Sequence, residues 1–321
     1  MTRERMATRR FAGREQLTGL VREVFGDRRD IVHLERLRGG SKKGVYRLEF
    51  DRGASVVVYS WADDENFWDD PSHNSGLRLF QAAHEQLQEI GVRVPRLYHA
   101  DTSGTHYPAD VAVIEDVRGG TLEARLAEDP EGGRRVLDRL AAGLGAMAGC
   151  RSRKLGEIAV AETGQSAVDV VLRHALKDLA EAASRVERIA QVREELGERV
   201  HELFAAITER ADHALIHGEL GPDHVLVDER DEPVLIDIEG TRFFDVEWEH
   251  VFLGIRFGAD YEHLRIDGLD ERRLTFYRLA HHLSLVAGPL RLLDGDFPDR
   301  EFMTGIARHH TEEALAFVRR R

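Results

Sequence analysis

Residues 215–240 hold an unusual density of groups that can do chemistry. His217, Gly218, Glu219, Asp223 and His224 precede the apolar triplet Val225, Leu226 and Val227, and Asp237 and Glu239 follow Leu235 and Ile236. The charged turn 228–233 joins two short apolar strands, so a hairpin brings Asp237 back beside the Glu219 loop. If 234–238 continues as a strand, Asp237 and Glu239 share one face, with Ile236 and Ile238 on the other. Carboxylates gathered at the ends of buried strands are costly unless a cation compensates them. Phosphoryl transfer uses such a set: one carboxylate orients the attacking hydroxyl, and others hold divalent metal against a triphosphate.

The order of these residues resembles the aminoglycoside phosphotransferase family, including its maltokinase-like and choline-kinase-like relatives. Their loop reads His-Gly-Asp, with Asn or Gln five residues after the Asp, followed by an Ile-Asp-x-Glu strand. The resemblance is close over 211–251, where 245–249 (Asp-Val-Glu-Trp-Glu) is similar to the Asp-Pro-Glu-Trp-Asp of the family. It implies that Glu219 is the catalytic base and that Asp237 is the main magnesium ligand. His224 then falls at the amide metal-ligand position, Glu239 can add an oxygen ligand, and His217 braces the loop. Two positions depart from the pattern. Glu219 is one methylene longer than the family Asp, and a misplacement of ~1 Å can cost ~100-fold in rate. His224 offers imidazole where magnesium prefers oxygen.

A glycine-rich turn, Gly39-Gly40-Ser41-Lys42-Lys43-Gly44, lies between two strand candidates and can bring backbone N–H groups to phosphates. It is neither a P-loop, because Val45 follows Gly44, nor a dinucleotide fingerprint, because a strand follows it. In the family the third strand carries a lysine for the α/β-phosphates, but 55–60 (Ser-Val-Val-Val-Tyr-Ser) has none. Lys42 or Lys43 is the expected substitute. Glu85 stands where that lysine's partner would lie, but its plainer reading is an exposed helix carboxylate. The segment 113–117 resembles the strand and hinge that receive adenine, with the Glu115 carbonyl and Val117 amide as contacts.

The elements that must position these groups divide into two halves. Strands are expected at 31–37, 45–50, 55–60, 92–97 and 111–117, with helices at 14–25 and 77–90 and a long acidic loop between 61 and 76. Trp61, Phe67 and Trp68 in that loop pack against the strands or cover a ligand. After Gly119 and Gly120, helices are expected at 121–127, 134–147, 167–186 and 192–210. Strands return at 214–216, 225–227 and 234–238, and helices follow to the end. The expected fold is α+β and bilobal, protein-kinase-like, with a nucleotide-binding strand-rich lobe at 1–117 and a helical lobe at 118–321 that holds the catalytic loop and the substrate.

Composition narrows the function. The chain has 321 residues, a formal net charge of -13 and one cysteine, Cys150. That excludes a disulfide framework and Cys-based zinc sites and fits a reducing cytoplasm. The acidity argues against nucleic acid, and no apolar run is long enough for a bilayer. His217-Gly218-Glu219 also fits the His-x-Glu of zinc deaminases, but the Pro-Cys-x-x-Cys partner is missing. A Gly-x-Ser-x-Gly hydrolase elbow is absent as well, and a zinc site from His213, His217, His224 and Asp237 would leave the glycine turn unexplained. The expected activity is therefore transfer of phosphate from ATP (or GTP), with Mg2+, to a hydroxyl of a small molecule. The acceptor expected is an amino sugar, aminoglycoside-like or other cationic compound, drawn to Asp245, Glu247, Glu249, Asp260, Glu262, Asp267 and Asp270. The alternative is a nucleotide-binding or interaction protein of the same fold without turnover.

Overall fold

The structure, a computed structural model, describes residues 9–27, 29–37, 41–68 and 76–319. Its first part is an antiparallel sheet of β1 (Ile31–Arg36), β2 (Gly44–Phe50), β3 (Ser55–Ser60), β4 (Leu97–Asp101) and β5 (Val111–Glu115), in the order β1-β2-β3-β5-β4. Side chains of a strand alternate between faces. In β3, Val56 and Val58 therefore face Leu17, Leu20 and Val21 of α1 (Arg14–Phe25), and Val57 and Tyr59 face the other way. That second face meets α2 (Leu77–Glu89), whose Leu77, Phe80, Ala83 and Leu87 recur at helical spacing.

The same buried cluster continues into the second part through Leu140, Leu215, Leu220 and Val225, so one core runs beneath both halves. α2 also packs against the turn Ile238–Gly240. The chain passes through α3 (Leu122–Glu128) and α4 (Pro130–Gly149), each opened by a side-chain cap: Thr121 accepts from the Ala124 N–H and Asp129 from the Gly132 N–H. Helices α5 (Ala167–Arg185), α6 (Glu187–Ala190), α7 (Arg193–Ala205), α8 (Val246–Phe257), α9 (Glu271–Leu292) and α10 (Arg300–Arg319) complete it. α9 is the hub of their core, with Leu274, Phe276, Leu279, Leu283 and Val286 buried among α5, α7 and α10.

A second sheet positions the site. β6 (Arg151–Ser152), β7 (Lys154–Glu157), β8 (Glu162–Thr163), β9 (His213–Ile216) and β12 (Arg242–Phe244) run in the order β6-β9-β12-β7-β8. β9 pairs antiparallel with β12, Ile216 opposite Arg242 and Ala214 opposite Phe244. Residues 217–241 thus form one excursion whose two ends are clasped together. Inside it, β10 (Val225–Val227) and β11 (Pro233–Leu235) make the expected hairpin, Val225 opposite Leu235.

The bilobal α+β expectation holds, with local corrections. The strand expected at 92–97 instead occupies Leu97–Asp101, because residues 92–96 turn inward and bury Val92 and Val94 beneath α2. The helix expected at 192–210 stops at Ala205. The short strands β6, β7, β8 and β12 gave no periodic signal, being two to four residues long. Among the described residues, no helix is long and apolar enough to cross a membrane.

Candidate active site

The strand expected at 234–238 ends early, which changes how its carboxylates are presented. Hairpin pairing runs on to Ile236, whose N–H donates to the His224 carbonyl at 3.0 Å. Asp237 then takes a left-handed conformation, φ 59° and ψ 41°, and opens a single 3-10 turn, Ile238–Gly240. Asp tolerates that region better than most residues, through its short polar side chain. Asp237 and Glu239 therefore do not share a strand face. They meet through a cation instead.

That cation is Lys43. Its ammonium donates to Asp237 Oδ1 at 2.6 Å and to Glu239 Oε1 at 2.5 Å, and lies 4.8 Å from the centre of the Tyr59 ring. Lys43 sits immediately before β2, where Gly44 pairs with Ser60 at the end of β3. A lysine from the glycine-rich turn thus reaches the charge centre that the lysine-free β3 cannot supply. Burial pulls the ammonium's pKa down, but Asp237 and Glu239 outweigh it and hold the group firmly protonated. Burial likewise pushes the Asp237 carboxyl up, and Lys43, with His224, brings it far below the usual carboxylate range. Glu85 is exposed on α2 and takes no part.

Gly44 has to be glycine. A Cβ there would stand 2.5 Å from the Glu65 carboxylate. Glu65 is fully buried in the segment read as an acidic loop, where it accepts from the Tyr46 hydroxyl and from Arg36 Nη2 at 3.1 Å. It anchors the exit of the glycine-rich turn, a role the sequence did not reveal. Gly39 and Gly40 lie outside the described residues. Ser41 accepts at its carbonyl from the Phe67 N–H and at its Oγ from Trp68 Nε1, at 3.0 Å.

The loop after β9 is braced from behind. His217 is buried, and a ring N–H donates to the Ile236 carbonyl at 3.0 Å, one residue before Asp237. Burial lowers its pKa to about 4, so the ring is neutral. Gly218, at φ 96°, directs its N–H to Glu249 Oε2 at 2.6 Å, and a side chain at that φ would be strained. Burial raises the Glu249 carboxyl to about 7, against the opposing pull of the Gly218 N–H and Arg242. Glu219 lies alongside the Asp237 turn, with Oε1 3.4 Å from where a Gly240 Cβ would stand. His224 donates from Nδ1 to the Glu219 carbonyl at 2.9 Å, leaving Nε2 facing Asp237 Oδ2 at 3.8 Å and Asp223 Oδ2 at 3.7 Å.

Glu219, Asp237, Glu239, His224, Ser41, Lys42 and Lys43 all line one cavity of about 430 Å³ between the strand-rich and helical parts. Asp223, Arg256, Trp248 and His281 line it too, and the sequence pointed to none of them as site residues. Glu115 and Val117 do not. The Glu115 side chain is held by Arg93 at 2.7 Å and by the Arg96 N–H at 2.9 Å, and Val117 is buried. A larger cavity, about 760 Å³, opens on another face of α8 beside His250, His282 and His310, and holds none of these groups.

No group of three or more His, Cys, Asp or Glu among the described residues is arranged to hold a metal by itself. The donor set instead suits a cation shared with phosphates, since magnesium is commonly held by one or two carboxylates plus substrate oxygens. Asp237 keeps Oδ2 clear of Lys43, and Glu239 Oε2 is buried without a hydrogen-bond partner.

The model of the phosphotransferase enzyme family matches residues 33–282, a span that contains Lys43, Glu219, His224, Asp237 and Glu239. The chain belongs to that family. Among solved structures, this phosphotransferase is similar to a thermostable mutant of aminoglycoside phosphotransferase APH(4)-Ia, at 18% identity and TM-score 0.62 over 94% of this chain and 97% of that one. It is also similar to the choline kinase LicA from Streptococcus pneumoniae, at 14% identity and TM-score 0.65 over 95% and 98%. A putative fructosamine-3-kinase from Thermobifida fusca matches at 18% identity and TM-score 0.55 over 95% and 100%. At these identities the likeness is one of fold. No curated protein matches the sequence. Family membership makes the chain a phosphotransferase, as its sequence led us to expect.

Proposed function

We propose that this phosphotransferase moves the γ-phosphoryl group of ATP, or of GTP, to the hydroxyl of a small molecule, with Glu219 as base and Lys43 as the phosphate-side cation. The observation that carries the reading is the Lys43–Asp237–Glu239 triad opening onto the cavity that contains Glu219. Nucleotide complexes of structural neighbours support it: APH(4)-Ia has been solved with ADP and hygromycin B, and LicA with AMP. As the acceptor oxygen bonds to the γ-phosphorus, the bond from that phosphorus to the bridging oxygen breaks and the nucleoside diphosphate leaves. The acceptor proton passes to Glu219 and from there to solvent. Lys43 offsets charge on the phosphates from a position fixed by Asp237 and the buried Glu239, so little reorganisation accompanies transfer. Magnesium, when bound, would neutralise phosphate charge, held by Asp237 with Glu239 or His224 as the neighbouring donor. Gly39, Gly40, Ser41 and Lys42 are assigned to the phosphates, and the Glu115 carbonyl and Val117 amide to the base. The nucleotide lobe is taken as 1–117 and the acceptor lobe as 118–321.

Release of ADP from ATP with magnesium and a panel of alcohols tests this directly. Turnover by the wild type, reduced by at least about 100-fold in both Glu219→Gln and Asp237→Asn, is expected. Turnover unaffected by either change would sink the mechanism. Nucleotide binding without turnover is the second reading. It is favoured by the long Glu219 side chain and by His224 in place of an amide, and it predicts ADP binding by a chain that never consumes ATP.

A further inference from the structure

The acid expected to attract a cationic acceptor is not in the cavity. Asp245 is fully buried against Arg273 and Tyr277, Glu247 is buried in a two-pronged pair with Arg210, and Glu249 is committed to the Gly218 N–H. Asp260, Glu262, Asp267 and Asp270 do not line the cavity either, and Glu262 faces the other one. The carboxylates that do line it are already matched with cations, save one. Asp237 and Glu239 share Lys43, and Asp223 pairs with Arg256 at 2.6 Å. Glu219 alone has no ion pair among the described residues, and it is the base.

Away from Glu219 the walls turn apolar. Trp248 and Phe252 come from α8, Leu285 and Leu292 from α9, and Phe302 and Ile306 from α10. Phe302 is 59% exposed, the highest value among the exposed large apolar side chains of the described residues, and it lines this cavity. Trp68 closes the groove from the strand-rich side. Its ring lies 3.7 Å from where a Gly288 Cβ would be, so the glycine leaves the indole room against α9. His281, in the same wall, is kept neutral by burial, with its pKa near 3.

We propose that the acceptor is an amphiphilic alcohol, with an apolar or aromatic body lying along α8, α9 and α10 and its hydroxyl at Glu219. The proposal rests on the phosphotransferase reading of the same site and adds the substrate class to it. Removing apolar surface from water into this groove is favourable. An ammonium group taken into it would lose its hydration and meet Glu219 and Asp237, the latter already paired with Lys43. The cavity is continuous from Glu219 to Phe302, so an alcohol held by the apolar end reaches the transfer point without a second site.

The test is calorimetric binding to the full chain with ADP and magnesium present. The probes are 2-naphthaleneethanol, 4-phenylbutanol and 1-decanol, against glucosamine and hygromycin B. The three apolar alcohols are expected to bind at least about tenfold more tightly than either amino sugar. Phe302→Asp and Ile306→Asp should each weaken the naphthyl alcohol by about tenfold, as loss of part of one apolar side-chain contact predicts, with ADP affinity unchanged. Tighter binding of glucosamine or hygromycin B overturns the proposal, as does unaltered naphthyl alcohol binding in both variants. Because binding needs no turnover, the two readings fail separately. A chain that binds the naphthyl alcohol but never consumes ATP refutes catalysis, and one that phosphorylates amino sugars alone refutes the acceptor class.

Discussion

Two buried charge networks in this protein are built from the same groups and differ in what they leave uncommitted. In the helical part, Asp245 receives Arg273 and Tyr277, the latter at 2.5 Å, with His213 at 3.4 Å. Arg273 is itself buried, and its other nitrogen donates to the Thr208 carbonyl at 2.5 Å. This network is shut off from the cavity. At the lobe boundary, Lys43 binds Asp237 and Glu239, yet the Asp237 side chain remains 40% exposed to the cavity, whereas the Asp245 side chain is fully buried. The first arrangement holds helices together. The second is arranged to receive something from outside, and the difference lies in accessible oxygens, not in the number of charges.

Four changes sharpen or break this contrast. Asp245→Ala should cost most: removing one partner of a buried ion pair strands the Arg273 charge, with an expected loss of about 3–5 kcal/mol in urea unfolding. Activity per folded molecule should be little changed, and a specific loss of activity at full stability would erase the distinction. Asp237→Asn should do the reverse, with turnover reduced by about 100- to 1,000-fold and a much smaller change in unfolding. The third concerns Glu249, whose folded carboxyl is raised to about 7 from an ordinary value of 4.5. The unfolded chain gives up that proton first, so the fold loses stability as pH climbs from about 4.5 to about 7, by up to about 3 kcal/mol. Glu249→Gln should flatten this part of the pH–stability curve, and an identical slope in the variant would refute the assignment. Smallest is Lys42→Ala. Lys42 lines the cavity and makes no ion pair among the described residues, and its loss should weaken ADP only a few-fold in a titration, against a far larger effect for Lys43→Met.

What the sequence disclosed follows the range of the interactions. The Glu219 loop, the β10–β11 hairpin and Asp237 were legible because turn residues, apolar triplets and acid fall within a short stretch of chain. The left-handed turn at Asp237 was not, since an Ile-Asp-Ile-Glu run reads as a continuing strand until the pairing ends at Ile236. Lys43 was one of two candidates on residue type alone, and only packing of β2 against β3 decides which lysine faces inward. The acids at 245, 247 and 249 misled for a related reason. On a helix they look like surface charge, but their partners Arg210 and Arg273 lie far away in the chain, and Glu249 is turned toward the Gly218 backbone. Glu65 escaped notice in the same way, one buried carboxylate among exposed ones.

The clasp of β9 on β12 has a further consequence. Because Ile216 and Arg242 are paired, the ends of the 217–241 excursion are fixed before its interior is specified. The entropy of closing that loop falls on the sheet and not on the site. The stretch between the two strands is nonetheless tied to what surrounds it: Leu220, Val225, Leu235 and Ile238 belong to the common core, and the hairpin tip is paired to α3 and α4 through Arg125–Asp231 and Arg139–Glu232.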